Sequence, residues 1–357
     1  MIFENKNLNL CKAIPVDEFV YKALYNPKNG YYLKKNPFGS KGDFITSPII
    51  SNLFSEVIGI WIVSTWEKMG KPKVFNLVEL GPGDGSLAKV LLNTFGKFPD
   101  LNNAIRFYLY EKSIFLKNHQ KKKLKNCKVK WLRSLREITG GPVIFFGNEY
   151  FDALPIKQFV IKNKIVYEKY LSVENNYGLL ESFKLAKKED IENIKSYKTF
   201  ENNSFIEYPK LGFSELDRIL QRISKLSGGI LLIDYGYQNL KNNNTLQAIV
   251  KNKKISINSL HRYLGDADIT YLVNFNLLKE YFLKKKFKIK NVVTQKFFLE
   301  RMGIMERAKI LEKKMDNKEK NYMIITLDRL LNKKMMGDLF KVIFAFKSKE
   351  HDYLGFS

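Results

Sequence analysis

The chain has 357 residues, with 61 Lys+Arg against 36 Asp+Glu and a formal net charge of +25. Apolar residues make up 45% and aromatics 14%, enough for one large or two ordinary folded domains and too much for a disordered polyelectrolyte. Lysines are scattered along the chain and asparagine is abundant, so the charge reads as compositional bias before it reads as a dedicated polyanion site.

Cys11 and Cys127 form no CxxC pair and no disulfide framework, which points to a reducing compartment. His119, His261 and His351 are far apart and lack ligand spacing, so no metal is expected. The opening MIFENKNLNLCKAIP has neither an apolar stretch nor an Arg/Ser-rich amphipathic pattern. The most apolar window, residues 53–66, contains Glu56 and is too short to span a bilayer. The expectation is a soluble, cytoplasmic protein.

In chain order, residues 15–27 read as a short helix and 28–50 as a long ordered loop rich in Gly, Pro and Ser. The 53–66 window suits a buried helix. From residue 73 a new rhythm begins. KVFNLVELG is an apolar strand, and SLAKVLLNTF follows with Leu87, Val90 and Leu91 at helical spacing. Strands at 105–111, 128–132 and 142–146 alternate with helical segments, one of which (SIFLKNHQKKKL) shows a basic face to water. Such alternation implies right-handed βαβ units and a parallel sheet. Residues 156–180 look like a hairpin turning near Asn163-Lys164, inside an insertion at about 156–210. The pattern then resumes with a helix capped by Ser214, the strand ILLIDYG, helices near 274–286 and 304–316, and a last strand at 340–347.

The sharpest motif is VELGPGDGS, 78–86. Gly81, Gly83 and Gly85 sit between a strand and a helix, where bare backbone lets a ligand approach a helix N-terminus. The spacing is GxGxG, and Glu79 precedes it. An acid there is poor company for a pyrophosphate and suits a cationic nucleoside ligand, S-adenosylmethionine. Glu111 ends the second strand, where an acid reaches ribose hydroxyls. At the end of the fourth strand, PVIFFGNEYFDALP places Asn148, Glu149 and Asp152 on the side where ligands bind in open parallel sheets. Carboxylates and an amide oxygen there can grip a guanidinium and compensate developing positive charge.

Seven blocks, GDFITSP, VELGPGDGS, NEYFDALPIKQF, LLIDYGY, DADITYLVNF, TQKFFLERMGI and MGDLFKV, occur in order over about residues 15–345. Together they resemble the MidA family of S-adenosylmethionine-dependent methyltransferases, which includes the mitochondrial assembly factor that methylates an arginine on a core subunit of respiratory complex I. The resemblance implies an α/β fold of class I (Rossmann-like) methyltransferase type. It would have a mostly parallel seven-stranded sheet, an N-terminal helical and loop lid over 1–72, and a core over 73–357 carrying the β-rich insertion. It implies S-adenosylmethionine held by Glu79, Gly81, Pro82, Gly83, Asp84, Gly85 and Glu111, with Gly42–Pro48, including Thr46 and Ser47, closing over it. It also implies a protein substrate, with Glu149, Asn148 and Asp152 as the methyl-acceptor site. Two positions depart from the family pattern. Ile49 replaces an expected Glu, and Asp84 stands where many members carry Arg.

The expected activity is in-line methyl transfer to an arginine nitrogen, with Glu149 pairing the guanidinium, Asn148 accepting a hydrogen bond and Asp152 orienting the set. Two alternatives remain beside it. One is methylation of RNA, DNA or a small molecule, against which there is no Asn/Asp-Pro-Pro-aromatic block at strand four. The other is a non-catalytic assembly chaperone that keeps the cofactor fold.

Overall fold

The computed structural model describes residues 12–34, 52–174, 178–239, 241–251, 253–349 and 352–357. Thr46, Ser47, Ile49 and the rest of the Gly42–Pro48 segment lie outside these residues, as do Cys11 and His351.

Seven strands form one hydrogen-bonded path: β1 Phe75–Leu80, β2 Ile105–Tyr110, β3 Val129–Trp131, β4 Val143–Asn148, β5 Gly228–Tyr237, β6 Lys288–Ile289 and β7 Phe340–Lys347. Their spatial order is β6-β7-β5-β4-β1-β2-β3, and two further two-residue strands, Val273–Asn274 and Val293–Thr294, pair with β5 and β7. The pairs β1–β2, β2–β3, β1–β4 and β4–β5 are parallel, while β7 runs antiparallel to both β5 and β6.

Alternate side chains explain why these strands read as continuous apolar runs. Val78 and Leu80 of β1, Val143 and Phe145 of β4, and Ile230 and Leu232 of β5 enter one core. Their neighbours Phe75, Leu77, Ile144, Phe146, Leu231 and Ile233 enter the other. A strand buried on both faces has no polar side to show. The second core is completed by the helix Asn52–Lys68, through Phe54, Ile58, Trp61 and Ile62, and by Leu87 and Leu91 of the helix Ser86–Phe95. The first is completed by the helix Lys210–Leu226. That helix begins at Lys210 behind Pro209, so Ser214 lies in its second turn and is not its cap. Pro at this position fixes φ and stops the preceding strand, which the Ser-cap rule does not register.

The insertion forms a separate five-stranded sheet. Lys157–Lys162 and Ile165–Glu174 pair antiparallel across Asn163-Lys164, both left-handed as a tight hairpin turn demands. Gly178–Leu185, Phe205–Tyr208 and the amino-terminal Ile14–Pro15 complete it. A third small sheet, not anticipated from sequence, joins Gln247–Val250, Lys253–Ile255 and Asp268–Thr270. The helix Val16–Tyr25 packs against both of these added units. Within the segment read as loop, Tyr31–Lys34 forms one helical turn.

Strand β5 begins at a point with no room for a side chain. Gly228 has φ 121°, and a Cβ there would stand 1.8 Å from the Val143 carbonyl oxygen of β4. Gly228→Ala is expected to destabilise the fold by about 3 kcal/mol in urea unfolding, because backbone must move to admit it. A loss under about 1 kcal/mol would show that the β4–β5 junction is looser than described.

Candidate active site

The carboxyl ends of the central strands are in register. Leu80 pairs with Tyr110, and Asn148 with Ile233. Gly81, Glu111, Glu149 and Asp234 therefore emerge along one edge, where the strand order reverses around β1. The first three border a cleft of about 820 Å³ including its mouth.

The glycine turn is left-handed at each glycine, with φ 60° at Gly81, 53° at Gly83 and 80° at Gly85. The Gly81 N–H donates to the Tyr110 carbonyl at 3.0 Å, and the Gly85 N–H to Pro82 at 2.8 Å. A Cβ at Gly81 would press on the Tyr150 ring at 3.1 Å. Gly81 and Gly83 line the cleft, whereas Pro82 is buried behind them and Gly85 opens the helix Ser86–Phe95. Asp84 is turned away from the cleft. Its carboxylate accepts from the Ser86 N–H at 2.9 Å, the Ser86 hydroxyl at 2.8 Å and the Lys123 ammonium at 2.6 Å. Glu79 is buried under the turn, and its Oε2 has no hydrogen-bond partner. Burial first, then the charges of Asp84 and Glu111, hold its pKa well above the usual carboxylate range.

Glu111 faces the cleft. Its Oε1 accepts from the Ser113 N–H at 2.8 Å and its Oε2 from Gln120 Nε2 at 3.2 Å. The same Gln120 nitrogen donates to the Gly83 carbonyl at 2.8 Å, and Gln120 Oε1 accepts from the Trp131 indole at 2.8 Å. Gln120 is fully buried and ties the glycine turn to the acid after β2. It sits on a helix read as a basic, solvated face, and no spacing rule singles it out. Burial raises the Glu111 pKa, while these donors pull it back.

After β4 the chain turns sharply. Glu149 is left-handed at φ 50° and its N–H donates to Ile233 at 2.9 Å. Asn148 donates from Nδ2 to Glu149 Oε1 at 3.2 Å, leaving its Oδ1 buried without a partner. Asp234, in β5, fixes the next two residues. Its Oδ2 accepts from the Phe151 N–H at 2.9 Å and the Asp152 N–H at 3.2 Å, and its Oδ1 from the Tyr235 N–H at 2.9 Å. Asp152 is buried with Oδ1 unpartnered, and burial with Asp234 beside it pushes its pKa well up. Burial and the charge of Glu149 push Asp234 up to about 8, against the three N–H donors that favour its ionised form.

The opposite wall comes from the added units. Tyr25 donates to the Ala153 carbonyl at 3.0 Å, and Tyr32 donates to Asp268 Oδ1 at 2.9 Å. The Ser113 hydroxyl donates to the Tyr32 carbonyl at 2.7 Å. Asp268 is, with Asp152, the second buried carboxylate on the cleft and arrives from the small sheet at 247–270. Sequence reasoning assigned no role to Asp234 or Asp268. Asp234 could have been found by the rule that flagged Glu149, a polar residue near the carboxyl end of a central strand. Asp268 lies in the block DADITYLVNF, which entered the family resemblance without a role for this acid.

Glu111, Glu149, Asp152 and Asp268 thus line one cleft, and Lys112 is the one cation on its wall among the described residues. In a chain of net charge +25 this is a local negative field. The left-handed glycine cradle, the unpartnered Glu79 and Asp152 oxygens and the cleft-facing Glu111 fit S-adenosylmethionine, which is a cation at sulfur and at its amino group. Among the described residues there is no group of His, Cys, Asp and Glu that could hold a metal ion, and no helix long and apolar enough to cross a membrane.

Residues 57–293 match the Methyltransf_28 family model, described as an S-adenosyl-L-methionine-dependent methyltransferase. The human protein arginine methyltransferase NDUFAF7, mitochondrial, is 30% identical over 360 residues, covering 92% of this chain and 78% of that protein. The Drosophila melanogaster homologue is 32% identical over 295 residues, 74% of this chain, and the match spans 66% of the fly protein's length. Among solved structures, a Burkholderia thailandensis protein crystallised with S-adenosyl-homocysteine superposes with a TM-score of 0.81 at 22% identity, covering 96% of this chain and 90% of that one.

The curated relatives correct one expectation. They are named mitochondrial, which overturns the cytoplasmic location. That expectation rested on the residue types of the first fifteen positions and on two cysteines, and neither records a compartment.

A group whose pKa is higher in the folded state loses its stabilising contribution as pH rises from its unfolded value to its folded one. For Asp234, that window runs from the ordinary carboxylate range up to about 8. Between about pH 5 and pH 8 the native protein should lose up to about 1 kcal/mol per pH unit more stability than Asp234→Asn. Denaturant unfolding across this range checks it. Parallel pH profiles for the two proteins would contradict the assignment.

Proposed function

Because this chain belongs to the MidA-like family of S-adenosylmethionine-dependent methyltransferases, we propose that it methylates an arginine side chain of a partner protein. The observation that supports this most is the acid-lined cleft beside the glycine turn. On the strength of the family resemblance, the acceptor is a core subunit of respiratory complex I. The finer reading of the fold is also a proposal. The path β6-β7-β5-β4-β1-β2-β3 is taken as the class I methyltransferase sheet, with two short accessory strands. Residues 73–357 form the catalytic core with the insertion at about 156–210. Within 1–72, the helices at 16–25 and 31–34 cover the site, while Asn52–Lys68 belongs to the packed face of the sheet.

When bound, S-adenosylmethionine supplies an electrophilic methyl group on a sulfonium sulfur. Gly81 and Gly83 would lie against it with bare backbone, and the free lone pairs of Glu111 would accept from ribose hydroxyls. Glu149 and Asp152 would pair with the incoming guanidinium, whose planar donors match carboxylates in fork geometry. The Asn148 Oδ1, buried and without a partner, can accept from the attacking nitrogen. Methylation of a guanidinium releases one proton from that nitrogen, and the buried acids are proton acceptors in reach. Tyr25 and Tyr32 would help keep bulk water out, which strengthens each of these charge interactions.

Glu149→Gln should lower methyl transfer to an arginine substrate by about a hundredfold or more while leaving S-adenosylhomocysteine affinity within about twofold. Parallel calorimetry and methyl-label assays measure both, and retained activity would remove Glu149 from this role. Glu111→Ala should show the reverse emphasis, weakening S-adenosylhomocysteine by about tenfold. Unchanged affinity by calorimetry would move the ribose site elsewhere.

A further inference from the structure

Tyr110, at the end of β2, lines a second cleft of about 750 Å³ besides the acidic one. Arg133, Arg136, Arg218, Arg222 and Lys225 line this groove, and no acid does among the described residues. Arg222 is anchored by backbone. Its Nε donates to the Leu135 carbonyl at 2.9 Å and its Nη2 to the Arg136 carbonyl at 2.5 Å. These contacts fix the guanidinium without neutralising it. Arg133 and Arg136 are exposed on the segment that follows β3.

The partition between the two clefts is itself charged and ordered. Glu215 is buried and accepts from the Tyr110 hydroxyl at 3.4 Å. It also pairs with Lys112 at 2.5 Å, on the acidic-cleft side, and with Arg218 on the groove side. An acidic cleft and a basic groove thus meet across one tyrosine and one carboxylate. Glu215 offsets Arg218, and gathering Arg133, Arg136, Arg222 and Lys225 around it leaves a net positive groove whose mutual repulsion an anionic partner relieves.

We propose that this basic groove docks acidic side chains of the same protein that presents its arginine to the neighbouring cleft. The inference rests on the arginine-methylating reading above. Arginine forks match carboxylates in paired geometry, and a polypeptide crossing from one cleft to the other alternates its side chains over a few residues. A nucleic acid is the poorer fit. Single strands need aromatic platforms for their bases, and Tyr110, the one aromatic on the groove wall among the described residues, spends its hydroxyl on Glu215. The acceptor is therefore expected to carry Asp or Glu close to its target arginine.

The test measures binding of short synthetic peptides to the full chain saturated with S-adenosylhomocysteine, by fluorescence anisotropy. The peptides carry a central Arg flanked by Glu or by Gln, and each flank is repeated with Ala at the centre. Glu flanks should tighten binding about tenfold over Gln flanks, and Arg133→Ala with Arg136→Ala should bring that ratio close to one. The flank preference should persist with Ala at the centre, so it is read separately from the arginine reading, which the Arg-to-Ala difference tests. S-adenosylhomocysteine affinity serves as the folding control for the double variant. Equal affinity for the two flanks, or a preference that survives the double variant, overturns the proposal. So does a single-stranded oligouridylate that binds more tightly than the Glu peptide and loses its affinity in the double variant, since that assigns the groove to nucleic acid.

Discussion

The carboxyl group of Asp234 is where scaffold and site are joined. It projects from β5, the longest strand of the central sheet, and accepts the backbone N–H groups of Phe151 and Asp152 from the turn after β4. Those two bonds, with the Glu149 N–H on Ile233, hold the turn in a left-handed start that L-residues adopt rarely. Without them the turn would relax, and Glu149 and Asp152 would lose their shared orientation toward the cleft. Tyr271 adds a further tie by donating to the Phe151 carbonyl at 3.0 Å.

The same logic explains why the acids are buried. A carboxylate in water is a poor trap for a guanidinium, because solvent screens the pair. Inside a cleft walled by Tyr25, Tyr32 and Tyr150, the attraction is much larger, and so is the cost of leaving the acids charged and unpaired. The raised pKa values of Asp152 and Asp234 express that cost. The fold meets part of it with backbone donors on Asp234, and a cationic guest on the cleft acids offsets more. Gln120 does the corresponding task on the other half of the cleft, where one amide nitrogen spans Gly83 and Glu111.

Much of this was legible in the sequence for a definite reason. Parallel strands buried on both faces leave unbroken apolar runs, so β1, β2, β4, β5 and β7 could be placed, and polar residues at their carboxyl ends stood out. Glu111, Glu149 and Asp152 came together on that rule, and Gly81 through the glycine turn beside it. The added units were harder. The hairpin at Asn163-Lys164 announced itself, but the sheet at 247–270 is made of three- and four-residue strands in a lysine- and asparagine-rich segment. Asp268 was therefore carried only as part of the DADITYLVNF block, with no place at the cleft foreseen. Nor does sequence separation hint that Gln120 turns inward from a helix whose last turn is Lys121–Lys123. Bulk charge was silent as well, since +25 says nothing about a cleft lined by four acids.

The central claim is that carboxyl groups in the cleft, their pKa raised by burial and by one another, receive a guanidinium. Calorimetry of an arginine peptide binding to the S-adenosylhomocysteine-saturated protein, run near neutral pH in buffers of different ionisation enthalpy, tests it most directly. The account predicts release of about one proton per peptide bound, lost in Asp152→Asn. Binding with no proton release, or with uptake, would contradict it.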